Sequence, residues 1–220
     1  SLSNQTVPCG RVIVVASGKS VEDTVMSFSD GLPVEYHECD PPGQIRQRNM
    51  AISLLDARTE LVGFLDDDIV LEPKALESMV AFWNNCDPIT AGVSFNVINA
   101  APHRHSWLKG LIGMSAREQG RILRSGYNVS IQCVPSHLRT QWVSGGATIW
   151  RKEILLDFRH EEISSPWAPC EDVIFSYPIG KRFPLFVCAD ARVRHEHVYD
   201  HAGTRRYRFY GYTETVWRLY

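Results

Sequence analysis

Leu61-Val62-Gly63-Phe64-Leu65-Asp66-Asp67-Asp68-Ile69-Val70 decides how this chain is read. Five mostly apolar residues run directly into three carboxylates. The apolar run reads as a strand buried on both faces, the pattern of a parallel sheet. The acids then fall at its carboxyl end, where open α/β sheets bind ligands. Three adjacent carboxylates repel one another, and a hard divalent cation such as Mg²⁺ or Mn²⁺ relieves that repulsion. The alternative is a solvated acidic turn before the next helix. Pro73 suits the first turn of that helix, and Leu76, Met79, Val80 and Trp83 follow at helical spacing.

Outward from this stretch, strands and helices alternate. Arg11 to Ala16 reads as a first buried strand, Val21 to Asp30 as a short polar helix, and Val34 to Cys39 as a second strand. The loop Ser17-Gly18-Lys19-Ser20 is similar in outline to a P-loop but lacks the earlier glycine, so Lys19 is expected to face solvent. A helix follows from about Gln44 to Ala57, and Ile89 to Ile98 is a fourth strand. This order predicts a mainly parallel sheet with right-handed crossovers. On the Gln44 helix, Ile45, Ile52 and Leu55 share a face, and Arg48 falls inside the same apolar arc. An arginine there needs an anion, either a structural carboxylate, a phosphate, or the acids at the sheet edge.

From Asn99 to about Thr140 the periodicity loosens, as it does where a scaffold carries specificity loops. Trp107 to Met114 is a short apolar piece, and Arg121 to Val134 alternates weakly, as strands do. His103 and His105 are either metal ligands or plain surface residues. Trp142 to Trp150 reads as a strand containing Gly145 and Gly146, which signal close approach of a ligand or of neighbouring side chains. Arg151 to Phe158 is a short helix. Glu171 and Asp172 open another helix, where the dipole favours carboxylates, and capping alone accounts for Glu171. A last strand, Leu185 to Val193, delivers Arg194-His195-Glu196-His197, a candidate set of metal ligands.

Composition bounds the class. The 220 residues are 44% hydrophobic and 22% charged with a formal net charge of -2, which suits one globular domain and argues against a nucleic-acid partner. Six cysteines without a C-x-x-C pair read as reduced core thiols. No apolar run approaches the roughly 20 residues that span a bilayer, and no leader is visible. The expected location is the cytoplasm, free or peripheral to the inner face of the membrane. The tail Thr204 to Tyr220 mixes arginine with aromatic residues and reads as a membrane-surface helix or as a helix packed back on the domain.

Taken in order, these pieces resemble glycosyltransferase family 2, inverting enzymes with the GT-A fold. Gln47-Arg48-Asn49-Met50-Ala51 is similar to the family's Ala-Arg-Asn-x-Gly helix start. Asp66-Asp67-Asp68 resembles its D-x-D motif. Gly145-Gly146, Arg151, Glu171-Asp172 and Val193-Arg194-His195 follow the family's order of glycine-rich strand, arginine, Glu-Asp and terminal Val-x-His. Two places differ. The first strand ends in Ala16-Ser17 instead of a Pro-x-Tyr-Asn turn, and the second lacks the Asp-Asp-Gly-Ser run.

The resemblance implies a single GT-A domain: an α/β fold with an open twisted sheet flanked by helices and a smaller antiparallel acceptor-side portion. Residues 11–98 would bind the nucleotide sugar, 99–197 the acceptor, and 198–220 form a helical tail. It implies a metal-dependent, hexosyltransferase-like reaction of the kind used in polysaccharide biosynthesis. The donor would be a UDP, GDP or TDP sugar and the acceptor a carbohydrate or a lipid-linked molecule. Asp172 would be the general base. Asp66, Asp68 and His195 would hold Mg²⁺ or Mn²⁺. Ala16, Ser17, Arg48, Asn49, Asp66, Asp67, Gly145, Gly146 and Glu171 would contact the nucleotide sugar. Two alternatives stand beside this reading. One is a haloacid-dehalogenase-type phosphatase using Asp66 and Asp68, whose D-x-D-x-[TV] motif fits but normally opens the chain. The other is a nucleotide-sugar-binding module without catalysis.

Overall fold

A computed structural model describes residues 1–101, 103–162 and 170–196. In chain order the elements are β1 (Val12–Ala16), α1 (Glu22–Met26), β2 (Val34–Glu38), α2 (Gln44–Ser53), β3 (Leu61–Leu65), β4 (Ile69–Leu71), α3 (Ala75–Asn85), β5 (Gly92–Val97), α4 (Trp107–Leu111), β6 (Leu138–Thr140), β7 (Ala147–Arg151), α5 (Lys152–Asp157), α6 (Glu171–Gly180) and β8 (Leu185–His195). The α/β class and the helix-flanked sheet stand as expected.

The sheet is mixed, not mainly parallel. Among the described residues, β1 and β2 form a parallel pair of their own. The other six strands run in the order β3-β7-β5-β8-β4, with β6 also on β8. Only β5 and β8 are parallel there; the β3/β7, β5/β7, β4/β8 and β6/β8 pairings are antiparallel. Strand–helix alternation over residues 11–98 predicts parallel neighbours, but β3 takes its partner from the second half of the chain. The two halves therefore interleave in one sheet.

This arrangement corrects the burial expected of the first strands. β3 is an edge strand, half-buried with Gly63 exposed, and β1 is half-buried throughout. The strands buried on both faces are β5 and much of β8. One face packs under α3 through Met79, Trp83, Phe95 and Val193. The other packs under α5 and α6 through Trp150, Leu155, Ile179 and Leu185. Burying such side chains stabilises the fold by roughly 1.5–3 kcal/mol each, which fixes the sheet on which the site is built.

Several local expectations shift. Pro73 lies in the turn before α3, and the helix buries Ala75, Met79 and Trp83 while Val80 is exposed. Its start is fastened by the N-terminal segment: the Gln5 side chain accepts from Leu76 N–H at 3.0 Å and donates to Glu72 O at 2.9 Å. Residues 121–134 form a single antiparallel bridge, Ile122 with Asn128, in place of strands. Cys39 and Cys188 are buried as core thiols, but Cys133 is exposed. Lys19 is exposed, as expected. Among the described residues no helix is long and apolar enough to cross a membrane. His197 and the tail 204–220 lie outside the described residues.

Candidate active site

The site grows from two strand ends. At the first, the β3/β7 ladder runs to Leu65 opposite Ala147 and continues as Asp66 N–H donating to Gly146 O at 2.8 Å. At the second, β4 pairs with β8 so that Ile69 faces His195, and Glu196 N–H donates to Asp68 O at 2.8 Å. That register brings His195 Nε2 to 2.9 Å from Asp68 Oδ2. Asn99 fixes the histidine's backbone from the other side, donating to His195 O and accepting from His195 N–H, each at 3.0 Å. Asp68 and His195, 127 positions apart, thus lie side by side. Asp67 is exposed.

Arg48 is buried on the apolar face of α2 between Ile45 and Ile52. Its anions are carboxylates of the chain. Nη1 donates to Glu171 Oε1, and Nη2 lies 3.4 Å from Asp66 Oδ1. The guanidinium also sits 5.7 Å from the centre of the Phe64 ring. Burial works against the charge of Arg48, but Glu171 and Asp66 hold its pKa above the ordinary value. Burial likewise opposes ionisation of Glu171, yet His160 and Arg48 hold that carboxyl below its usual range. Asp66 is pushed up, first by burial and then by Asp68 and Glu171, against the pull of Arg48.

Gly145 and Gly146 lie in the turn before β7, not inside a strand. Their small size serves close packing of side chains. A Cβ on Gly145 would lie 2.6 Å from Glu171 Oε1 and 2.8 Å from Arg48 Nη1. One on Gly146 would strike the Asp66 carboxylate, with Cγ at 2.9 Å. The same turn reaches the candidate base, because Gly145 N–H donates to the Asp172 carboxylate. Asp172 opens α6, and its Oδ1 also accepts from Val173 N–H at 2.8 Å. Burial, then the Glu171 charge, pushes Asp172 up to about 7 against those two N–H donors and Arg48. A carboxyl poised there exchanges a proton at neutral pH.

His160 is a member of this cluster that sequence reasoning missed. Its Nδ1 lies 3.5 Å from Glu171 Oε2, and its ring stacks on Phe175 at 3.7 Å and meets Phe64 edge-on at 5.9 Å. Nothing in Arg159-His160-Glu161-Glu162 marks it, since the contacts come from two distant elements, β3 and α6. Asn49, read as a nucleotide contact, donates to His160 O at 2.9 Å and holds that loop. His103 and His105 tie their own loop instead, to Ala116 O at 2.8 Å and to Ser115 Oγ at 3.2 Å.

An open cleft of about 1960 Å³ separates the β1–β2 pair from β3. Ala16, Ser17, Arg48 and Asp66 to Asp68 line its polar part. The whole exceeds the roughly 300–1,000 Å³ of a small-molecule pocket because it continues down the apolar inner face of β3. Asp68 and His195 supply one carboxylate and one imidazole as candidate ligands for Mn²⁺ or Mg²⁺, and a cation there would offset the Asp68 charge that adds to the effect of burial on Asp66. Among the described residues, no three His, Cys, Asp or Glu side chains come together closely enough to hold a metal. A cation held by Asp68 and His195 would need water and substrate phosphate to fill its remaining positions.

The fold is shared with solved proteins. S. aureus TarS 1–349 aligns with a TM-score of 0.55 at 18% identity over 86% of this chain and 52% of that one. TarS 1–349 in complex with UDP aligns equally well, and its complex with UDP-GlcNAc gives 0.53. This chain thus spans about half the length of those structures, and at such identity the likeness is one of fold. No curated protein sequence matches. The glycosyl transferase family 2 profile matches residues 1–140, which include Arg48 and Asp66 to Asp68 and end before Gly145, Asp172 and His195. That is more than half of the chain, and the chain belongs to glycosyl transferase family 2.

Proposed function

We propose that this chain transfers a sugar from a nucleoside-diphosphate sugar to an acceptor hydroxyl, with inversion and with Asp172 as the base. The observation that carries the reading is the Gly145–Gly146 turn. Two consecutive residues, about 3.8 Å apart at Cα, touch the acid at the donor cleft and the raised carboxyl at α6. Asp172 takes the acceptor proton as that oxygen bonds to the anomeric carbon. The anomeric carbon–oxygen bond to the diphosphate breaks, and its electron pair leaves with the nucleotide. The proton ends on the Asp172 carboxyl. In-line attack inverts the anomeric centre.

Arg48 and Glu171 hold the geometry: the arginine keeps Glu171 and Asp66 apart, and the Glu171 charge keeps Asp172 basic enough to accept a proton. Ala16, Ser17 and Asp67 line the cleft beside the nucleotide. Asp68 and His195, with Asp66 adjacent, would hold Mg²⁺ or Mn²⁺. When bound, that ion supplies Lewis-acid neutralisation of the leaving diphosphate. The TarS complexes favour UDP over GDP or TDP as the first donor base to try.

The test is a panel of UDP, GDP and TDP sugars with Mn²⁺, read as nucleoside-diphosphate release, beside a phosphomonoester read as phosphate release. Thermal shift with each nucleoside diphosphate runs in parallel, since a ligand of the native state raises the melting temperature. One nucleotide is expected to stabilise the protein and its sugars to be consumed. Phosphate release from the phosphomonoester without nucleotide release would return the site to the phosphatase reading.

A further inference from the structure

The segment that leaves the site after Asn99 ends in an apolar surface with no place in the core. Trp107, Leu108, Leu111 and Ile112 are 67%, 61%, 75% and 67% exposed, and Met114 is exposed beside them. At 100° per residue the first four occupy one arc of about 140° on α4 and its C-cap. The backbone beneath them is satisfied. Ser106 caps Lys109 N–H, Gly110 N–H donates to Ser106 O at 2.9 Å, and Met114 N–H donates to Lys109 O at 2.8 Å. Ser115 Oγ accepts from Ser106 N–H at 3.0 Å. The apolar side chains are thus presented by a hydrogen-bonded turn.

The charge in this segment is predominantly positive, although Glu118 pairs with Arg121 at 3.1 Å. Arg104, Lys109, Arg117, Arg121 and Arg124 are all exposed, and Glu118 is the single acid between 104 and 124, in a chain whose formal net charge is -2. Basic residues around a Trp/Leu/Ile/Met face fit an anionic lipid surface: the apolar side chains enter the headgroup–acyl boundary and the cations meet lipid phosphate.

We propose that residues 104–124 dock this domain on an anionic bilayer through Trp107, Leu111 and Ile112. Asn99, held by two hydrogen bonds to the His195 backbone, joins that surface to the metal-side end of the site through seven intervening residues. Resting on the proposed sugar transfer, this last step favours an acceptor carried on a lipid. The binding test itself uses no donor, so its failure is separate from failure of the transfer reading.

The experiment is flotation of the full 220-residue chain with phosphatidylglycerol/phosphatidylcholine vesicles and with phosphatidylcholine alone. Binding is expected to the anionic vesicles and to fall with added salt. Leu111→Ser with Ile112→Ser should lower it at least about tenfold, and Arg104→Glu or Lys109→Glu about fivefold or more each. Melting temperatures should stay unchanged because these side chains are exposed. Trp217→Ser with Tyr220→Ser, in the basic-aromatic tail, should leave binding intact. Binding that survives Leu111→Ser with Ile112→Ser, or is lost with the tail substitutions, would overturn the assignment. So would a concentration-dependent dimer abolished by the same pair of substitutions in a protein that ignores vesicles.

Discussion

Replacing Asp172 with asparagine separates a catalytic base from a helix cap by two readouts. In the fold this carboxyl is raised to about 7, chiefly by burial and next by the Glu171 charge, from an ordinary value of about 3.9. The native state therefore holds a proton that the unfolded chain has already lost. Nothing separates the two states below about pH 4. The burden on the native state builds as pH rises and is complete above about pH 7. At roughly 1.4 kcal/mol per unit, its ceiling is about 4 kcal/mol. Asparagine still accepts from Val173 and Gly145 N–H but carries no charge. Asp172→Asn should therefore be more stable than the parent, and its advantage should grow by about 2–3 kcal/mol from pH 5 to pH 8. Urea titrations at the two pH values measure this directly.

Activity should move the other way. The parent's transfer rate should rise about tenfold per pH unit below 7 and level off above it, as the carboxylate form fills. Asp172→Asn should lose roughly a hundredfold or more in turnover at pH 8 while nucleotide affinity holds. A cap predicts the opposite pattern, because asparagine caps as well as aspartate. Near-normal transfer by the folded variant, or a stability difference that ignores pH, would refute the reasoning.

Arg48→Met strands Glu171 and Asp66 and should cost about 3–5 kcal/mol by urea titration. Arg48→Lys should recover only part of this, since an ammonium lacks the fork that reaches both carboxylates. Gly146→Ala drives a methyl into the Asp66 carboxylate. It should cost about 1–3 kcal/mol and weaken UDP binding measured calorimetrically. Asp68→Asn or His195→Ala should weaken nucleotide binding in Mn²⁺ but leave the residual binding in EDTA unchanged. Equal effects in both media would refute the metal role. His160→Phe keeps the stack on Phe175 but removes the contact with Glu171, and should shift the pH midpoint of transfer more than it lowers the plateau rate.

The elements were legible where periodicity speaks. Arg48 stood out because its angular position on α2 put a cation among isoleucines, and the structure buries it there. Asp68 and His195 were each legible as strand ends. Their meeting depends on a register between β4 and β8 that neither segment carries alone. Of the two partners of Arg48, Asp66 was among the acids the sequence offered, and Glu171 was not legible. Glu171 is 123 positions away, and a carboxylate at a helix start has a sufficient local explanation in the dipole. Strand direction was misread for a related reason. Alternating strands and helices imply parallel neighbours only if consecutive strands pair, and β3 pairs instead with β7. Once β3 is an edge, the cleft beside it, its half-buried side chains and the exposure of Gly63 follow together.

The glycines bear this out most directly. In sequence, Gly145-Gly146 offers two readings, approach to a ligand or tight packing. The structure gives packing, but against the charged groups of the site. Gly145 meets Arg48 and Glu171 and donates to Asp172, while Gly146 meets Asp66 and accepts from its N–H. A side chain at either position would have to displace a carboxylate from its ion pair, not merely crowd an apolar neighbour. The turn thus fixes the spacing between the donor-side acids and the raised carboxyl. A substitution there should disturb nucleotide binding and base function together, whereas changes at Asp68 or Asp172 alone should disturb one and spare the other.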